Sequence, residues 1–266
     1  APLQLLEHPL TDNRYEQHSR SWLLLVLRDS CQRTSLATFS SRFLPLASAL
    51  KARAQEGGSA IQAKRYTTLL DHVWAVLPAL FQEPLDLNAA MLAEGGTLAK
   101  QLVAVLLGEP TLRDHVWTAL TRACNNVLQP ASPISQSLLE SNQTCLRTLS
   151  GRVMPEMFTA YVKLHAESEG QDASRVDHSR RLALAAVQGY TRVAEPQLIG
   201  TLFKSVVAKL LKASTSDENI GEKSQAAALG DLANAMVPYL PAEALDLVVK
   251  VFSPMLIGGG PAQDEK

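Results

Sequence analysis

The residues able to do chemistry are few and scattered along this 266-residue chain. His72 and His115 sit in two copies of an Asp-His-Val-Trp tetrad. A metal site would need three or four donors, and none stands at ligand spacing from either histidine. Their equivalence in the two copies gives them a structural role, and Trp74 and Trp117 are read as core anchors in the same way. Cys31, Cys124 and Cys145 are odd in number, far apart and outside any CxxC pair, which supports neither a disulfide framework nor a zinc site. They read as small buried hydrophobes in a reducing compartment. Gly221-Glu222-Lys223-Ser224 echoes the end of a phosphate-binding loop, but Glu222 separates glycine from lysine and Ser216 stands where GxxxxGK[ST] needs glycine. Asn142-Gln143-Thr144 matches a glycosylation acceptor, which means nothing without a secretory route. The sequence contains no GxSxG, HExxH or paired-carboxylate constellation. Neither catalysis, a metal nor a cofactor is expected.

Cations form the remaining candidates. Lys204, Lys209 and Lys212 share one arc of about 140° at 100° per residue, opposite an apolar stripe. Arg175, Arg180 and Arg181 begin the preceding helix, where they are expected to reach the same edge. That edge is the candidate contact for RNA phosphates or for an acidic protein, against the plain alternative of a solvated face. A smaller group, Lys51, Arg53, Lys64 and Arg65, flanks Gly57-Gly58 and carries the same ambiguity.

Composition limits what these residues can serve. Hydrophobic residues are 46% and charged residues 19%, enough apolar surface for a large core. Lys+Arg at 25 against Asp+Glu at 26 argues against a strongly basic nucleic-acid clamp. The longest obvious apolar run, Trp22 to Leu27, has six residues, far short of the roughly 18 of a membrane span, and no membrane partner is expected. Ala1 to Arg20 lacks the hydrophobic segment of a signal peptide, and the chain starts without Met, so it is expected to be a piece of something longer.

Apolar spacing is helical almost throughout. Leu198, Ile199, Leu202, Phe203, Val206, Val207, Leu210 and Leu211 make one broad stripe. The spacing predicts helices near 20–31, 34–54, 61–82, 87–107, 111–128, 134–150, 152–167, 175–194, 197–212, 222–239 and 242–256. Pro84, Pro110 and Pro196 each stand where a new stripe starts, the position at which a missing N–H costs nothing. Pro45, Pro78, Pro155 and Pro238 lie inside stripes and are expected to kink curved helices.

An internal repeat sets the architecture. Leu69 to Leu77 and Leu112 to Leu120 match at six of nine positions, 43 residues apart. Pro155, Pro196 and Pro238 follow at intervals of 41 and 42, in differing contexts. A period of about 40–47 with two helices per unit marks HEAT or armadillo repeats, which gain their stability by stacking. The expected fold is all-α, an α-solenoid of five to six antiparallel helix pairs. Residues 20–256 would form it, with a flank at 1–19 and a polar tail at 257–266.

Several ordered stretches carry a resemblance: Trp22 to Asp29, Phe43 to Ala47, Tyr66 to Pro78, Pro84 to Leu87, Pro110 to Arg113, Val153 to Phe158, Arg180 to Leu184 and Pro196 to Ile199. Together they resemble the ribosomal RNA-processing protein twelve family, nucleolar HEAT-repeat factors of ribosome assembly, over about Trp22 to Leu256. Where the family commonly reads Leu-Pro-Gly-Phe-Cys, this chain has Leu77-Pro78-Ala79-Leu80-Phe81. The resemblance implies an internal section of a longer scaffold that accompanies small-subunit precursors in nucleolus and nucleus and helps export them. It implies partners among assembly proteins and pre-ribosomal RNA, with Ran or export factors as further candidates, and no catalytic residues. The rival reading is a karyopherin-like nuclear transport receptor or another HEAT-repeat protein-interaction scaffold.

Overall fold

The structure, a computed structural model, describes residues 35–56, 59–92, 96–130, 133–167, 173–214, 220–246 and 248–249. Every regular element among the described residues is helical, and these elements fall into two compact units divided between Val193 and Ala194.

In the first unit the chain runs through a short turn α1 (Leu36–Thr38), a π-helical turn (Phe39–Phe43) and α2 (Leu44–Gln55). It returns through α3 (Ala60–Trp74) and α4 (Leu77–Leu80). The second pair sets α5 (Leu87–Leu92) and α6 (Thr97–Gly108) against α7 (Arg113–Leu128). The third is α8 (Gln136–Ala166) with α9 (Ala173–Val193). Contacts sort these helices into two layers: α1–α2, α5–α6 and α8 in one, α3–α4, α7 and α9 in the other. The second unit pairs α10 (Pro196–Ser214) with α11 (Ile220–Met236), closed by a 3₁₀ turn Val237–Tyr239. This all-α arrangement of stacked antiparallel pairs is the HEAT-type fold that the repeat predicts.

The core of the first pair forms around aromatic rings. Phe39 and Phe43 are stacked at 5.7 Å, and Trp74 meets Phe39 edge-on at 6.2 Å, an arrangement suited to the ring quadrupole. Trp117 is fully buried in the next pair, so both tetrad tryptophans are core anchors.

Helix starts follow from local chemistry. Ser59 and Gln62 complete a capping box at α3, and the Ser135 hydroxyl accepts from the Leu138 N–H at α8. Gly96 enters α6 at φ 70, and a Cβ there would stand 3.0 Å from the Met91 carbonyl oxygen.

Four expectations need correction. Residues 134–150 and 152–167 form one helix, α8, of 31 residues. The sequence suggests a break at Gly151, but an exposed glycine weakens a helix by only about 1 kcal/mol, far less than α8 gains by burying its inward face. The predicted 61–82 divides into α3 and α4, and 87–107 into α5 and α6. Of the four interior prolines, only Pro155 lies well inside an α-helix. Pro45 and Pro78 occupy the first turns of α2 and α4, and Pro238 lies in the 3₁₀ turn. Before Pro45 the ladder loosens, the Leu44 N–H reaching back to the Phe39 carbonyl. The 41- and 42-residue proline intervals therefore join inequivalent places and mark no repeat. The expected helix at 20–31, the flank at 1–19 and the tail at 257–266 lie outside the described residues, as does much of 242–256, of which 242–246 is helical.

Helices α7 and α9 pack tightly at Gly189, where a Cβ would stand 2.9 Å from the Cys124 Cβ. A Cβ on Gly151 of α8 would meet nothing within 4 Å. Gly189→Ala should therefore destabilise by about 1 kcal/mol net, overpacking exceeding the gain in helix propensity. Gly151→Ala should stabilise by about 0.5–1 kcal/mol. Urea unfolding of the two variants checks both signs.

Candidate functional site

The Asp-His-Val-Trp tetrad turns out to join one repeat to the next. His115 Nε2 lies 2.8 Å from Asp71 Oδ1, so the histidine of the second copy bonds the aspartate of the first. That hydrogen bond, with the nearby charges of His115, His72 and Arg175, holds the Asp71 carboxyl below its ordinary value despite partial burial. The second copy's aspartate is used in the same direction: Ser179 Oγ of α9 donates to Asp114 Oδ2 at 3.0 Å. The two aspartates thus reach forward from α3 to α7 and from α7 to α9.

A second cluster sits where α6 ends. The Arg113 side chain is 2% exposed and donates to both oxygens of Glu167, at 2.6 and 3.4 Å, and to the Leu107 carbonyl at 3.3 Å. Lys163 Nζ donates to the same carbonyl at 2.9 Å and lies 3.6 Å from Glu167. Cations therefore meet a last-turn carbonyl of α6, the negative end of the helix dipole. The Arg113 guanidinium, by hydrogen bond and charge, holds the Glu167 carboxyl below its usual range. Sequence reading missed this site, although a signal existed. In the nine-residue repeat Arg113 aligns with Leu70, and a position that buries leucine in one copy buries arginine in the other.

The remaining sequence candidates are placed as follows. Cys124 and Cys145 are buried and unbridged, with thiols pushed up by burial, Cys145 to about 12; Cys31 lies outside the described residues. Asn142 is buried and donates to the Pro84 carbonyl at 3.1 Å, so its acceptor pattern serves packing. Gly221 to Ser224 lie in the first turns of α11 instead of a phosphate-cradling loop. No group of three or more His, Cys, Asp or Glu able to hold a metal occurs among the described residues, and no described helix is long and apolar enough to cross a membrane. A cleft of about 120 Å³ between the first two pairs is lined by Leu44, Leu70, Trp74 and Leu112 and edged by the Lys51–Glu109 ion pair.

Arg175 and Arg181 are exposed on α9; Arg181 Nε donates to the Asp177 carbonyl at 3.3 Å, and Arg180 Nη1 stands 3.7 Å from the Asp177 carboxylate. Lys204, Lys209 and Lys212 are exposed on α10. The arginines belong to the first compact unit and the lysines to the second. In the smaller group Lys51 pairs with Glu109, and the Arg53 guanidinium lies 6.0 Å from the Tyr66 ring centroid, so these two are engaged within the fold.

Stacked helix pairs and aspartates reaching from one repeat to the next define a HEAT-repeat protein. Comparison with known proteins narrows the class. The family "Ribosomal RNA-processing protein 12, HEAT repeats" matches residues 1–164, and the chain belongs to that family. It is 31% identical over 240 residues to an RRP12-like protein of Gallus gallus, covering 89% of this chain and 17% of that protein. It is 28% identical over 248 residues to an RRP12-like protein of Homo sapiens, covering 88% and 18%. It is 26% identical over 272 residues to Ribosomal RNA-processing protein 12 of Saccharomyces cerevisiae, covering 94% and 21%. The chain thus spans about a fifth of the length of these curated relatives.

Replacing Glu167 by Gln leaves a buried guanidinium without its counter-charge. Glu167→Gln should cost about 2 kcal/mol at neutral pH, below the full buried-pair value because Glu167 is itself part-exposed. A carboxyl with a depressed folded pKa contributes stability above its unfolded value of about 4.3 and loses it as pH falls through the folded value. The gap between variant and wild type should therefore be full above about pH 5 and shrink in more acid solution, as read by denaturant unfolding across pH.

Proposed function

We propose that this chain is a segment of a non-catalytic scaffold that binds small-subunit pre-ribosomal particles during processing of their RNA and nuclear export, in nucleolus and nucleus. The observation that carries the reading is the family match over residues 1–164, joined by relatives whose names assign them to ribosomal RNA processing. The fold supports it: stacked pairs offer extended surfaces, and binding along them is what helical-repeat arrays do.

Arg175, Arg180 and Arg181 are the residues assigned to RNA phosphates in this reading. All fifteen arginines of the chain precede Ala194, and residues 1–193 carry nineteen Lys/Arg against seventeen Asp/Glu. Guanidinium suits phosphate through its planar fork of donors, and two of the three arginines extend from α9 into solvent.

The experiment is a pull-down of the tagged longer protein, with bound RNA sequenced through a salt series. Small-subunit precursor RNA should be enriched and should fall away as salt rises, the mark of phosphate contacts. Arg175→Glu with Arg181→Glu should lower recovery by roughly tenfold. Recovery of transport cargo without precursor RNA would overturn the reading, and unchanged recovery by the double variant would remove the arginines from it.

A further inference from the structure

The 19-residue helix α10 carries three lysines and no acidic residue. Positions three and four away from Lys204 and Lys209 within the helix hold Gly, Thr, Ser, Val, Ala or Lys, so no intrahelical ion pair is available to these two. Lys209 and Lys212, three apart, repel each other instead. The helix dipole accounts for Lys212, which lies in the last turn, but not for Lys204 near the middle.

The three lysines form a strip. On the inner side of α10, Ile199, Phe203, Val206 and Val207 are buried. Thr201, Lys204, Ser205, Ala208, Lys209 and Lys212 are all exposed and fall on the opposite arc. From Lys204 to Lys212 the charges are eight residue steps apart, about 12 Å at 1.5 Å per residue. Thr201, Ser205 and Ala208 lie among them as a floor of small side chains, over which another backbone can approach closely.

The surroundings select the partner. From Ala194 onward the chain has six lysines, no arginine and nine Asp/Glu, a net charge of −3, so the strip is cationic on an otherwise acidic segment. A nucleic-acid backbone is a continuous line of negative charge and would be repelled beyond the strip. A short acidic peptide meets the strip alone. The strip also lacks the arginine and aromatic side chains on which single-stranded bases stack.

We propose that the exposed face of α10 docks an acidic protein segment, whose Glu and Asp carboxylates pair with Lys204, Lys209 and Lys212. The lysines belong to the second unit and the arginines assigned to RNA to the first. The test measures anisotropy of a short fluorescent polyglutamate peptide, and of a short single-stranded RNA, with the 266-residue chain. The peptide should bind, and the triple variant K204E/K209E/K212E should weaken it by roughly tenfold or more. Lys223→Glu, the same charge change at an exposed lysine of α11, should leave it unchanged. The RNA should bind wild type and triple variant alike. Helical circular dichroism verifies that the variants fold, and K204Q/K209Q/K212Q provides the comparison if the reversed protein does not. The proposal is overturned if wild type does not bind the peptide, if the triple variant binds it as well as wild type, or if K223E weakens it equally. Loss of RNA binding in the triple variant would overturn it in favour of an RNA contact. The arginine reading is judged on precursor RNA recovered by the longer protein, so each idea can fail alone.

Discussion

Helix ends leave backbone groups without intrahelical partners, and in the first unit several of these are met by side chains of other helices. Asp86, which precedes α5, accepts from the Leu36 and Ala37 N–H groups at 2.7 and 3.0 Å and from the Ser35 hydroxyl at 2.5 Å, capping α1 from fifty residues away. Arg113 and Lys163 converge on the Leu107 carbonyl, and Arg147 Nε donates to the Val193 carbonyl at the end of α9. Asn142 and Cys145 of α8 donate to the Pro84 and Leu87 carbonyls at the start of α5. Apart from that of Arg113, six residues from Leu107, these contacts link residues 46 to 58 apart in sequence, close to one repeat. A pair removed from its neighbours would leave these groups to water, so local helix formation and stacking depend on each other.

The same constraint explains where polar chemistry is spent. Buried or half-buried charges in the first unit, among them Arg113 with Glu167 and His115 with Asp71, point from one pair to the next, and each of these pairings holds a carboxylate in its charged form. Such groups fix the register of stacking, because an apolar contact tolerates sliding that a bidentate ion pair does not. Exposed cations remain on the helix surfaces, Arg175 and Arg181 on α9 and Lys204, Lys209 and Lys212 on α10.

Much of the fold was legible in the residues because its signals are local. The stripe on α10, Pro196 at its start and the repeated tetrad each follow from side-chain types at fixed spacing and lie where they were expected, whereas Pro84 and Pro110 stand three residues ahead of α5 and α7. Gly151 and Pro155 misled for the same reason. They weaken a helix locally, and the neighbours against which α8 is buried outweigh that effect. Arg113 gives the converse case: a charged residue reads as surface until its partner Glu167, 54 residues on, is known.

By itself the sequence determined the helical class, the repeat, the buried tryptophans and the family to which the chain belongs, since periodicity and motif order are properties of neighbours along the chain. Only tertiary structure decided that His115 answers Asp71, that Asp86 caps a helix fifty residues earlier and that Arg113 is buried against Glu167. Those pairings depend on the distance between side chains of different repeats, which is set by how the helices stack.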